Sequence, residues 1–454
     1  MFESIASLIQ RTADALFMPW IVVILIGTGL YLTIRLRAVQ VVRLAEAFRT
    51  MLASQQAGAG GALTPFQAFM TALAASIGTG NIAGVATAIV SGGPGALFWI
   101  WVYGFFATAI KFSEAVLGLT FRQVVGDRVS SGPMYYLRDG LHSPWLASTY
   151  ALVAAVAALT TTPFTQPNSM AVVLESEFGL PTWAAGVGIA ILTWLVIVGG
   201  VKSVGRAAER LSPLKVSLYL LGGLVVILSH ITRVPEVLAL VVREAFSLQA
   251  AAGSAAGIGV MVAIRYGLAR GIYANEAGYG TAAVAYGTAK STRPEQQGLN
   301  AVMEVFIISF VTSTISAMAI LVTGVWQSGL SSTAVVAQAF NVAMPGVGGW
   351  VVAFCAFLFG YTTLIGWAYY GEQFFEYILG RKVTTAYRWI YCGLIVFGAQ
   401  ARVDTVWAWG DLMNGLQIFP NVIGLIGLAG VVAAVARTRG ASGGRAPGPP
   451  PRRP

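Results

Sequence analysis

Apolar runs of about 17 residues or more recur from one end of this chain to the other, joined by short connections that hold most of its basic residues. Such segments have few structural options. In lipid every backbone amide and carbonyl must be paired internally, which leaves self-satisfied helices or a closed barrel. Runs of this length point to helices, because a spanning strand needs only about 9–11 residues. Charged residues make up 10% of the chain, against roughly 25% in soluble domains. Mean hydropathy is +0.73. The chain therefore reads as an all-α polytopic membrane protein in contact with lipid. The net charge of +10 is no nucleic-acid footprint, because the basic residues lie mostly in the connections between apolar runs. Cys355 and Cys392 lie within such runs and read as buried thiols, with no disulfide or metal framework implied.

About eleven transmembrane helices are predicted, near 16–35, 64–92, 95–121, 146–174, 181–201, 213–231, 254–288, 299–325, 346–380, 385–400 and 405–436. Glu3, Arg11 and Asp14 interrupt the amino terminus, so no secretory signal is read there. Alternate connections carry the basic residues: Arg35 to Arg49, then Arg122 to Arg138, then Lys202, Arg206, Arg210 and Lys215, then Lys290 and Arg293, then Arg381 to Arg388. The opposite side has Arg11, Arg233, Arg243 and Arg402. The positive-inside rule then places the N-terminus outside and the C-terminus in the cytoplasm. Residues 1–63 form an extra N-terminal helix and a cytoplasmic loop. With them set aside, five spans fall in 64–231 and five in 254–436, and an odd count per half makes the halves inverted repeats. The Gly/Pro/Arg-rich stretch 437–454 reads as a disordered cytoplasmic tail.

Each half opens with an interrupted span. The first holds Ser76-Ile77-Gly78-Thr79-Gly80-Asn81, and the second Gly271-Ile272-Tyr273-Ala274-Asn275-Glu276-Ala277-Gly278. A helix that unwinds at membrane depth must satisfy its freed groups with something, and two matched breaks point to a solute site between them. The helix resuming after Gly80 aims free N–H groups and its positive dipole end into the break. The amides of Thr79, Gly80 and Asn81 can thus hold a carboxylate. The preceding half-helix leaves carbonyls near Ala74, Ala75 and Ile77 that suit a cation such as Na⁺. One break offers an anion site and a cation site, which a sodium-coupled zwitterion carrier needs.

The run from Thr71 to Ile89 resembles the signature of the alanine or glycine:cation symporter family, as do Gly92–Ala96, Lys111–Ala115, Gly132–Tyr136, Ala269–Gly278 and Ile365–Glu372. The resemblance implies the five-plus-five inverted repeat of the amino acid–polyamine–organocation superfamily. It implies cation-driven uptake of small amino acids, no enzyme activity and no cofactor beyond Na⁺ as coupling ion, in a bacterial or archaeal inner membrane. Carried over by residue, it implies that Thr79, Gly80 and Asn81 hold the substrate carboxylate. Gln166 and Asn168 would meet its polar groups, Tyr273, Ala274, Asn275 and Glu276 would line the second break, and Trp367 would limit side-chain size. The cation would sit among carbonyls of Ala74 and Ile77 and hydroxyls of Thr362 and Thr363. Two departures stand out. Pro163 and Pro167 flank Gln166 and should kink its helix, and Ile308 stands where the family often has an acid.

Ionisable groups at depth mark function by default. Lys111 and Glu114, at i,i+3, are expected to pair, and Arg270 with Glu276 to clamp the second break. Glu304 and Glu372 read as lying near the cytoplasmic ends, and Asp411 as a gate partner or a structural group. The alternative to Na⁺ coupling is a proton carried by Glu276 or Glu372. A further alternative is an amino-acid-gated channel or sensor.

Overall fold

The computed structural model describes residues 9, 11–12, 15–53, 60–125, 128–247, 260–330, 332–401 and 403–437. The tail 438–454 lies outside them. Among the described residues the chain is a bundle of helices with one small hairpin. Helix α1 is Val22–Arg35 and α2 is Leu44–Ala53, followed by the first core span, α3 (Pro65–Ser76) and α4 (Ala83–Gly92). Next come α5 (Ala96–Thr120), the antiparallel strands β1 (Gln123–Val125) and β2 (Arg128–Ser130), α6 (Pro144–Thr160), α7 (Thr162–Phe178), α8 (Thr182–Ile197), α9 (Gly200–Ser229) and α10 (Val234–Ala245). The second half has α11 (Val260–Asn275), α12 (Thr281–Gly287), α13 (Pro294–Val305), α14 (Ser313–Thr323), α15 (Ser332–Ala343), α16 (Gly348–Leu379), α17 (Thr384–Ala399), α18 (Val403–Gly427) and α19 (Ala429–Arg437).

Five of these segments are long and apolar enough to cross a membrane unaided, namely Ala96–Thr120, Pro144–Glu175, Gly200–Ser229, Pro294–Thr323 and Gly348–Leu379. Two bent pairs raise the number to seven among the described residues. Their order follows the order of the apolar runs. In α16, 83% of the most apolar stretch is buried, against 33% in α9. So α16 runs through the middle of the bundle, whereas α9 presents only one face to it.

The first span breaks where its glycines predict. Thr64 and Gln67 form a reciprocal capping box and Pro65 supplies a preset φ, so α3 starts cleanly. It stops at Ser76, and a single 3₁₀ turn (Thr79–Asn81) leads into α4 at a 65° bend. The second break takes only the last part of its expected run and extends past it to Gly280. Helix α11 runs on through Gly271, Tyr273 and Ala274 to Asn275, and the chain unwinds only at Glu276, Gly278 and Gly280, all with positive φ. Gly271 serves packing instead, since a methyl there would come 3.1 Å from the Tyr103 ring. An unforeseen bend of 57° separates Ala408–Gly427 from α19. Helix α9 also begins at Gly200, well before the apolar run near 213. Lys202 to Lys215 are therefore helical, and Lys215 lies inside the bundle rather than in a loop.

Candidate functional site

The two breaks meet at the centre of the bundle. There α4 packs on α11, α3 packs on α12, and α16 packs on α3 and α7. Thr79, Gly80 and Asn81 are all buried. The Gln166 side-chain oxygen accepts from the Thr79 amide at 3.1 Å and from the Thr79 hydroxyl at 3.0 Å. It takes up both donors that the Thr79 turn offers. Pro167 lies inside α7, yet α6 and α7 still give one spanning segment, and Gln166 faces the break. A methyl on Gly78 would fall 2.7 Å from Thr363 Oγ1 and 3.1 Å from Gln166 Oε1. Glycine at this position lets both side chains reach the unwound backbone. A methyl on Gly80 would strike the Tyr273 ring at 2.7 Å, so that ring covers the break from the second half.

Gly78, Gly80, Gln166, Tyr273, Glu276 and Trp367 line a cavity of about 10 Å³, enough for one water. The Trp367 indole donates to Glu276 Oε1 at 2.6 Å, and the Thr281 hydroxyl to Glu276 Oε2 at 3.1 Å. Two of the expected substrate side chains are bonded elsewhere, and a third residue, Ala274, is buried in a continuous helix. Asn168 donates to the Ala401 carbonyl at 2.7 Å, Asn275 donates to Gly271 and accepts from Ser309, and Ala274 is buried within α11. Asn81 donates to the Ser76 carbonyl at 3.1 Å and so staples the break from inside.

The four expected cation-site residues do converge. The Thr363 hydroxyl lies 3.1 Å from the Ala74 carbonyl and 2.9 Å from the Ala75 carbonyl. In their midst is Lys215, whose place among the basic connections predicts a loop. Lys215 Nζ donates to Ile77 O at 2.6 Å, Thr362 Oγ1 at 2.5 Å and Ala74 O at 3.2 Å. Its neighbours on α9 hold the chain on both sides of the break. Ser212 donates to Met70 O at 3.2 Å, and Tyr219 meets Ser316, which donates to Asn81 O at 2.9 Å. Residues 212, 215 and 219 share one helix face by their i,i+3,i+7 spacing. That spacing was the available signal, obscured by Pro213 and by four basic residues in a row of turns.

The buried charges find other partners than their spacing suggested. Lys111 pairs with Glu304 at 2.7 Å rather than with Glu114. Glu304 also accepts from Ser76 at 2.8 Å and Tyr286 at 2.9 Å, and it is fully buried, far from a snorkelling position. Glu114 Oε1 instead accepts from the amides of Gly278 (2.9 Å) and Gly280 (3.1 Å) and from Asn421 (2.9 Å), which caps the second break. Arg270 reaches Asp411 at 3.5 Å instead of clamping Glu276. Glu372 pairs with Arg388 at 2.8 Å.

Comparison with known proteins fits this geometry. The model of the sodium:alanine symporter family matches residues 2–440. The chain belongs to this family. It is 37% identical over 438 residues to the sodium/alanine symporter AgcS of Methanococcus maripaludis, covering 94% of this chain and 96% of that protein. It is 34% identical over 424 residues to GlnT of Bacillus subtilis, described as a probable sodium/glutamine symporter, covering 92% and 87% respectively. The crystal structure of MhsT in complex with L-phenylalanine superposes with a TM-score of 0.54 at 12% identity, covering 83% of this chain and 90% of that one. The last likeness shows a shared fold. A member of the sodium:alanine symporter family is an integral membrane transporter of the amino-acid and cation symport type, not an enzyme.

Proposed function

We propose that this family member imports a small neutral amino acid, alanine or glycine, together with a cation, by alternating access between two inverted repeats. The reading has the N-terminus outside and residues 64–231 and 254–436 as the repeats. The observation that carries it is the Gln166 carbonyl oxygen on the Thr79 amide and hydroxyl, a neutral stand-in for a substrate carboxylate. With room for only about one water, the cavity admits an amino acid only if Gln166 swings off Thr79. Its amide can then bond the ligand's ammonium or carboxylate. Trp367, held by Glu276, sets a floor that favours a side chain no larger than a methyl group.

Two cations suit the second half of the reading. Na⁺ is the ion in the family's name, and the carbonyls of Ala74 and Ile77 at the end of a half-helix are donors of the kind it takes in broken-helix carriers, with the Thr362 and Thr363 hydroxyls beside them. A proton is favoured by a specific observation, the Lys215 ammonium among those same oxygens. Of the two candidate acids, Glu276 accepts from Trp367 and Glu372 pairs with Arg388.

The test is uptake of a labelled amino-acid panel into proteoliposomes. Alanine and glycine are expected to accumulate and large side chains to be excluded. Accumulation of glutamine or phenylalanine in preference to alanine would overturn the substrate assignment. Gln166→Ala removes a bond to a charged ligand worth about 1.5–3 kcal/mol, so KM for alanine should rise roughly 10- to 150-fold. An unchanged KM would show that the side chain has no part in binding.

A further inference from the structure

A basic cavity remote from the breaks has no part in symport. We propose that it binds the phosphate headgroup of an anionic phospholipid, seated where α1 and α19 end. The cavity measures about 390 Å³ and is lined by Arg35, Arg37, Arg43 and Arg437, with Val42 and Ala433 in its wall. That volume falls within the range of about 300–1,000 Å³ usual for ligand sites. Arg35 lies in the last turn of α1 and Arg437 in the last turn of α19, and these two helices pack together. Between Arg35 and Arg43 the chain reverses. Arg37 and Ala38 both take a left-handed φ, 55° and 52°, before the short helix Val39–Val42. The reversal brings Arg35, Arg37 and Arg43 to one concavity beside α19.

The four guanidiniums are satisfied very differently. Arg43 is buried and fully engaged. Its Nε and Nη2 donate to Glu46 at 2.8 and 2.5 Å, Nη1 donates to the Ala436 carbonyl at 3.1 Å, and Nη2 also reaches Glu295 at 3.4 Å. It thereby ties α2, α13 and α19 together and fixes the frame of the cavity. Arg35, Arg37 and Arg437 are exposed, and among the described residues no acid pairs with any of them. Among the described residues no acid lines the cavity either. Three like charges gathered around one concavity repel each other until an anion lies between them. A second cavity, of about 360 Å³, shows the contrast. Its Arg381 and Arg388 face Glu376 at 2.6 Å and Glu372 at 2.8 Å, so those two charges are already matched.

The surroundings select a lipid over a soluble anion. Ile34, Val41 and Val42, interleaved with these arginines along the chain, are 71%, 61% and 61% exposed. On α2, Phe48 and Leu52 are exposed as well and share one face at i,i+4. Aliphatic and aromatic side chains beside an arginine cluster, at the end of an apolar helix, fit the boundary of a bilayer. Acyl chains cover the one and headgroups meet the other. Val42 belongs to both surfaces, because it lines the cavity and is exposed. A phosphodiester brings one negative charge and oxygens that accept paired guanidinium N–H bonds, which arginine supplies better than lysine. A zwitterionic headgroup adds an ammonium to a ring of like charges with no acid to receive it, so the site prefers an anionic lipid. The bound phosphate bridges the ends of α1 and α19.

The test is native mass spectrometry of the purified full-length protein in a neutral detergent, titrated with phosphatidylglycerol, phosphatidylcholine or glycerol 3-phosphate. Wild-type protein should bind phosphatidylglycerol saturably and roughly ten-fold or more tighter than phosphatidylcholine, and glycerol 3-phosphate more weakly than either. Arg35→Gln, Arg37→Gln and Arg437→Gln should each weaken phosphatidylglycerol binding roughly five-fold, and the triple variant roughly 100-fold, with phosphatidylcholine binding unchanged. Equal affinity of the wild type for the two lipids would overturn the assignment. So would a monodisperse triple variant that binds phosphatidylglycerol as tightly as wild type. Glycerol 3-phosphate binding as tightly as phosphatidylglycerol would make this a site for soluble phosphate esters and would overturn the lipid assignment too. The comparison of the two lipids on wild-type protein decides the matter even if no variant folds.

Discussion

Glu304→Ala is expected to destabilise the protein by about 3–5 kcal/mol, because it leaves the Lys111 ammonium buried without its counter-charge. Both side chains are essentially inaccessible, at 1% and 0% exposure. The Ser76 and Tyr286 hydroxyls would lose their acceptor in the same step. Ser76 is the last residue of α3, so the damage reaches the first break directly. Paired substitution of Lys111 and Glu304 by methionine removes both charges and should recover a large part of the loss, since an apolar pair of similar volume often matches a buried ion pair. Thermal inactivation in detergent, followed by loss of monodisperse protein on a sizing column, measures both variants. Equal stability of Glu304→Ala and wild type would mean that the pair does not hold α3 to α5 and α13.

Gly78→Ala should have the largest effect on transport at the least cost to the fold. The added methyl would lie 2.7 Å from Thr363 Oγ1 and 3.1 Å from Gln166 Oε1. Both neighbours must move, and overpacking of this kind costs about 1–3 kcal/mol. That penalty falls at the seam of the substrate and cation sites, so alanine affinity should drop roughly 5- to 150-fold and coupling should weaken with it. Counterflow and gradient-driven uptake, measured on the same vesicles, would show the two losses together. A change in one alone would separate sites that the geometry joins.

Much of this architecture is readable from the chain. Gly78 and Gly80, flanking Thr79 inside an apolar run, mark the first break, because the two glycines lower the cost of unwinding and the Asn81 side chain caps the freed Ser76 carbonyl. The family resemblance assigns Gln166 and Thr79 separately to one ligand, and their direct contact is visible only in three dimensions. Other features depend on three-dimensional contacts. Gly271 reads like a break but serves close packing on Tyr103. Lys111 and Glu114 are near neighbours on α5, yet each finds a better partner across the bundle, Glu304 for one and the second-break amides for the other. Local spacing says nothing about such long-range competition. Lys215 was the costliest case. A basic residue at the edge of an apolar run follows the positive-inside pattern, and only the burial of the α9 face shows that it points inward.

The account's central claim is that the unwound turn at Thr79 holds a zwitterion's carboxylate in the position now taken by the Gln166 oxygen. The most direct measurement is alanine binding to purified protein by isothermal titration, with β-alanine, alaninamide and N-acetylalanine as competitors. Saturable alanine binding is predicted, with alaninamide failing to compete because it lacks the carboxylate. Alaninamide binding as well as alanine would contradict the claim and put the Thr79 turn outside substrate recognition.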